Sequence, residues 1–139
     1  MANGRKDDTA AQPGEALTDN DKAFSAISYI LGILVALVIY LVKKENGFVR
    51  FHAVQSILVD IVVFVISIIA VILFFAIFAI GMVAGGIGVL VAFPLFYVAV
   101  LAWGLLLLAI RLFLAWKAYN GGRFMIPLLG GLAERFSAT

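Results

Sequence analysis

His52, Ser56 and Asp60 are spaced four residues apart, with Gln55 beside them, so a helix would bring them onto one face. A carboxylate, an imidazole, an amide and a hydroxyl on one stripe are groups that can hand on protons or ions. Arg111 is the other charge set in an apolar stretch. At a helical rise of about 1.5 Å per residue, Asp60 lies roughly 15 Å past Arg50 and Arg111 roughly 9 Å before Lys117. The two depths differ by about one turn, which an arginine side chain covers. The sequence therefore predicts that Asp60 and Arg111 face each other between the second and third helices, with His52 on the same polar side. An unpaired charge at the centre of a bilayer costs about 2.5–3.5 kcal/mol on insertion scales. Two roles fit the stripe: a proton or ion path along Asp60, His52 and Arg111, or a structural ion pair near the membrane surface. One acid and one base make a thin relay, which favours the ion pair.

No other chemistry stands out. The chain has one histidine and no cysteine, so thiolate metal sites, disulfides and cysteine nucleophiles are absent, and a lone histidine is a poor metal ligand. His52 reads as an interfacial hydrogen-bonding residue. The glycines at 81, 85, 86 and 88 carry no basic neighbour and form no phosphate loop. No nucleophile–base pair is present, so no catalytic, cofactor-binding or metal-binding residue is expected and the protein reads as no enzyme. Net charge is only +2, with the basic residues dispersed, which gives no footprint for nucleic acid.

These residues sit in an unusually apolar chain. Of 139 residues, 65% are hydrophobic and 13% charged, against about a quarter charged in soluble domains. The stretch 61–110 has no charged side chain. As one straight helix it would run roughly 75 Å, whereas a bilayer core of about 30 Å needs about 20 residues. It must therefore double back, and the glycine cluster at 81–88 is the predicted turn. The fold class expected is an all-α integral membrane protein, with three transmembrane helices in a small bundle and a short C-terminal interfacial helix. The helices are predicted over 22–44, 48–80 and 89–119 within a membrane domain 21–139, and the interfacial segment over 124–136, which Pro127, Gly130 and Gly131 interrupt. The polar stretch 1–20 reads as a disordered tail and not as a signal peptide. Ser28, Gly32 and Ala36 repeat every four residues on the first helix, the small-residue pattern of close helix packing.

Orientation follows from lysine and arginine. Three spans place Lys43, Lys44, Arg50, Lys117, Arg123 and Arg135 on one side and only Arg5, Lys6 and Lys22 on the other. The expectation is a multi-pass protein of the cell membrane with its C-terminus cytoplasmic and its N-terminus outside. Tyr40, Phe48, Phe51, Trp116, Tyr119 and Phe124 would form an aromatic belt on the cytoplasmic side.

Two segments carry a family resemblance: Phe48-Val49-Arg50-Phe51-His52-Ala53-Val54-Gln55-Ser56, and the run from Ala118 through Asn120-Gly121-Gly122-Arg123-Phe124 to Gly130. They resemble small prokaryotic membrane proteins described as similar to the twenty-kilodalton subunit of the chloroplast inner-envelope import translocon, the Tic complex. The resemblance covers about 23–135 and implies a compact helical membrane domain with no catalytic residues to carry over. The function expected is non-enzymatic: an assembly factor or subunit of a membrane complex, working through helix contacts. Its partners would be the lipid bilayer and a second copy or other membrane proteins, without any cofactor. The alternative is a small oligomeric channel or transporter using the polar stripe.

Overall fold

The computed structural model describes residues 16–138, and every regular element among them is helical. There are five: α1 (Asp19–Ile30), α2 (Ile33–Val42), α3 (Gly47–Val83), α4 (Ile87–Tyr119) and α5 (Leu129–Ala138). The expected tail lies largely outside the described residues, and Asp19 and Asn20 already belong to α1.

Local chemistry sets the helix ends. Thr18 caps α1 reciprocally: its hydroxyl oxygen accepts from the Asp21 main-chain N–H at 3.2 Å, and the Asp21 carboxylate accepts from the Thr18 N–H at 3.1 Å. Asn46 caps α3, its side-chain oxygen accepting from the N–H groups of Phe48 and Val49, each at 3.1 Å. Gly121 ends α4 with φ +75°. There the Gly122 N–H reaches Lys117 O and the Gly121 N–H reaches Ala118 O, each at 3.0 Å, the paired bonds of a glycine-terminated helix.

The span expected over 22–44 is not one helix. It breaks after Ile30, and Gly32 stands at φ +82° and ψ −171°, a backbone region open essentially to glycine alone. The resulting helices of 12 and 10 residues measure about 18 and 15 Å, too short to cross a bilayer. Three transmembrane helices are therefore not confirmed: among the described residues two helices, α3 and α4, are long and apolar enough to cross a membrane. Gly32 is thus a turn residue rather than the middle of a packing stripe. Ser28 and Ala36, buried on either side of it, lie on different helices.

The described residues form two compact units, one from 16–60 with 111–138 and the other Ile61–Ile110. In the first, α1 and α2 fold back on each other. Lys43 Nζ, past the end of α2, lies 4.8 Å from the ring of Phe24 near the start of α1. A straight helix would hold these residues roughly 28 Å apart. Along α2, Ile39 and Val35 pack with Val49 and Ala53 of α3. Along α1, Ala26 and Tyr29 pack with Leu114, Ala115 and Ala118 of α4; the alanines let the backbones approach closely. The ten-residue α5 closes the unit, with Ala133 against Phe51 and Val54. It begins later than the segment expected over 124–136 and is too short to span.

In the second unit, the last part of α3 and the first part of α4 pair through aromatic rings. Phe74 stacks on Phe96 with centroids 3.7 Å apart, and Phe78 meets Phe93 edge-on at 5.3 Å. The turn falls at 84–86, with Gly85 at φ +112° and Gly86 at φ +79°, inside the glycine cluster where the sequence places it. Pro94 stands within α4, which begins two residues earlier than expected.

Candidate functional site

The polar stripe of α3 faces inward in the first unit. His52, Gln55 and Ser56 are buried, and each reaches a different neighbour. Arg111 Nη2 binds Asp60 Oδ1, and its Nη1 donates to Tyr29 O at 2.9 Å. The side chains retain 25% and 10% of their exposure respectively, so the pair is largely screened from its surroundings. A β-carbon on Gly32 would lie 3.6 Å from Asp60 Oδ2. The acid therefore sits at the N-terminus of α2, where the helix dipole is positive, and the base binds a carbonyl at the end of α1, where it is negative. Arg111 thus binds one side of the break at Gly32, and its partner Asp60 stands beside the other.

His52 is enclosed by aromatic rings. Phe48, Phe51 and Tyr29 meet it edge-on, with centroids 4.6, 5.2 and 5.7 Å away, and the Tyr29 hydroxyl lies 3.0 Å from Nδ1. Phe48 and Phe51 are therefore core residues and not part of an aromatic belt, whereas Trp116 and Tyr119 are exposed. Tyr29 is the site residue that the stripe on α3 could not reveal. Its signal is its place four residues after Ser25, one turn along the same face of α1.

The remaining polar groups bond to main chain. Ser56 Oγ donates to Ser28 O at 2.6 Å, Ser28 Oγ to Ser25 O at 2.7 Å, and Gln55 Nε2 to Phe124 O at 3.0 Å. Arg123 lies over Phe51 and Phe48, 5.4 and 5.8 Å from the ring centres. Burial pulls its guanidinium below its ordinary pKa, and nearby Glu134 opposes that shift. The arrangement makes a lock between helices: the Ser28 and Ser56 hydroxyls donate to carbonyls, the Tyr29 hydroxyl meets His52, and among the described residues no three His, Cys, Asp or Glu gather around a possible metal position. Ser56→Ala should lower stability by about 1–2 kcal/mol, since it leaves a buried carbonyl without its donor. Thermal unfolding in detergent measures this, and an unchanged midpoint would count against the bond.

Residues 20–133 match the MamF/MmsF family, described as the magnetosome magnetite crystal formation protein family. The chain belongs to this family. A UPF0132 membrane protein of Methanocaldococcus jannaschii is 33% identical over 112 residues, 81% of this chain and 84% of the relative. Another, from Archaeoglobus fulgidus, is 31% identical over 110 residues, 79% of this chain and 88% of the relative. No solved structure matches. The MamF/MmsF assignment corrects the resemblance to the chloroplast import subunit, to which none of these matches links the chain. The segments that suggested it are the buried start of α3 and the glycine end of α4. Both are packing features of a helical membrane domain and name no process.

Proposed function

We propose that this member of the MamF/MmsF family is a non-enzymatic integral membrane protein that works through helix contacts, as an assembly factor or a subunit of a membrane complex. The observation that carries the reading is the inward closure of the polar stripe. Asp60, Arg111, Gln55 and Ser56 bind groups of the first unit itself, and the outer faces of the helices are apolar and exposed. Such a surface suits lipid and other transmembrane helices. The family description ties its members to magnetite crystal formation, and a membrane scaffold is the contribution we assign to this chain there. Photo-crosslinkers at exposed Phe64 and Leu105, in native membranes, should give discrete protein adducts. Lipid adducts alone, together with proton flux in proteoliposomes that Asp60→Asn abolishes, would instead establish the channel reading.

The same reading places the protein in the cell membrane with two crossings and both termini in the cytoplasm. Because α1 and α2 fold back, Lys22 comes to the end of the first unit that carries Lys43, Lys44, Arg50, Lys117 and Arg123, and the turn at 84–86 carries no charge. The positive-inside rule then applies to all of them at once. The N-terminus thereby moves from the outside location expected for three spans. With no native cysteine, single cysteines report this directly. An impermeant thiol reagent outside the cell should label a cysteine at Gly85 and none at Lys22 or Lys43; labelling of Lys22→Cys from outside would overturn the topology.

A further inference from the structure

We infer that the α1–α2 hairpin is a one-leaflet contact surface: its outer face takes the acyl chains of the leaflet on the charged side and of that leaflet alone. A protein that adds cross-section to one leaflet then favours membranes that are convex on that side. The inference rests on the topology proposed above, because it needs both ends of the hairpin at one headgroup layer.

Three observations point to this occupant. The first is length. Helices of 12 and 10 residues reach about 18 and 15 Å, close to half of a bilayer core of about 30 Å. The second is the distribution of side chains. Asp19, Asp21 and Lys22 stand at one foot of the hairpin and Lys43, Lys44 and Glu45 at the other, while the tip presents Ile30, Leu31, Ile33 and Leu34, all apolar and exposed. A tip reaching a headgroup layer or water would carry polar residues, as the feet do.

The third observation is how the break itself is held. Irregular backbone at membrane depth persists only where protein supplies the missing partners. Here Arg111 donates to Tyr29 O, and the Asp60 carboxylate stands beside Gly32. The inner face of the hairpin is protein core, with Ser25, Ser28, Tyr29, Ala36 and Ile39 buried. Its outer face is exposed, with Leu31, Leu34, Val38 and Leu41 each at least half open, and its length matches one leaflet. Inserted area confined to one leaflet makes binding curvature-sensitive, as for helices lying in an interface.

The test uses the full chain in phosphatidylcholine–phosphatidylglycerol vesicles, with a fluorophore on Leu34→Cys, Lys22→Cys or Lys43→Cys. Lipids spin-labelled near the chain end should quench the Leu34 position most strongly, and lipids labelled near the headgroup should quench the other two. Reagent access to Lys22 and Lys43 from opposite faces would sink the topology. Access from the same face with shallow quenching at Leu34 would sink this inference alone. A Leu34 label that no lipid quenches, and that forms disulfides between copies, would assign the face to a second copy and overturn it too. In vesicles about 30 nm across, the protein density per lipid should exceed that in vesicles about 200 nm across by about threefold or more. Equal density would remove the curvature preference.

Discussion

Replacing Arg111 with glutamine lowers the stability of the folded protein by about 3–5 kcal/mol, and replacing Arg111 and Asp60 together costs far less. The single substitution leaves a carboxylate with a tenth of its surface exposed and no counter-ion. It also removes the donor to Tyr29 O. The double substitution Asp60→Asn with Arg111→Gln removes both charges, so no uncompensated ion stays buried. Asp60→Asn alone falls between the two, because Arg111 keeps its bond to Tyr29 and can turn its charge toward the surface. Unfolding midpoints in detergent for the three variants give the coupling directly. Strictly additive losses would show that the contact contributes nothing as a pair.

Gly32→Ala costs about 1–3 kcal/mol, a backbone effect rather than a loss of contacts. At φ +82° and ψ −171°, a β-carbon strains the chain, although the added methyl group would make only ordinary contacts with Asp60 Oδ2 at 3.6 Å and Arg111 Nη1 at 4.0 Å. Gly104→Ala is the matched control, since nothing lies within 4 Å of its added carbon and it sits inside α4. There alanine should gain up to about 1 kcal/mol from helix propensity. Opposite shifts of the unfolding midpoint are expected, and a neutral Gly32→Ala would mean that the chain can pass this point as a continuous helix.

Much of this architecture can be read from residue order. The pairing of Asp60 with Arg111 follows from counting turns down from Arg50 and Lys117, because rise per residue is the same in every helix. The turn at 84–86 follows from an uncharged run too long for one crossing. The break at Gly32 does not follow. Between Phe24 and Val42 there is no charged residue and only one glycine in a stretch of spanning length, and a lone glycine ordinarily costs a helix only about 1 kcal/mol. What divides it comes from elsewhere in the chain, where Arg111 binds the end of one half and Asp60 flanks the start of the other. The inward turn of Phe48 and Phe51 is hidden for a similar reason: aromatics next to an arginine suit an interface belt and a buried histidine cage equally well.

The turn at 84–86 also bears on how the protein enters a membrane. Only Ala84, Gly85 and Gly86 separate the two long helices, and none carries a side chain with a polar atom. Delivering this link to the far side moves no charge through hydrocarbon, where each would cost about 2.5–3.5 kcal/mol. The two legs, already joined by the contacts between Phe74, Phe78, Phe93 and Phe96, can therefore be threaded as a ready-made pair. In the proposed two-crossing topology, every charged group among the described residues except the mutually neutralised Asp60 and Arg111 then stays on the side from which synthesis supplies it.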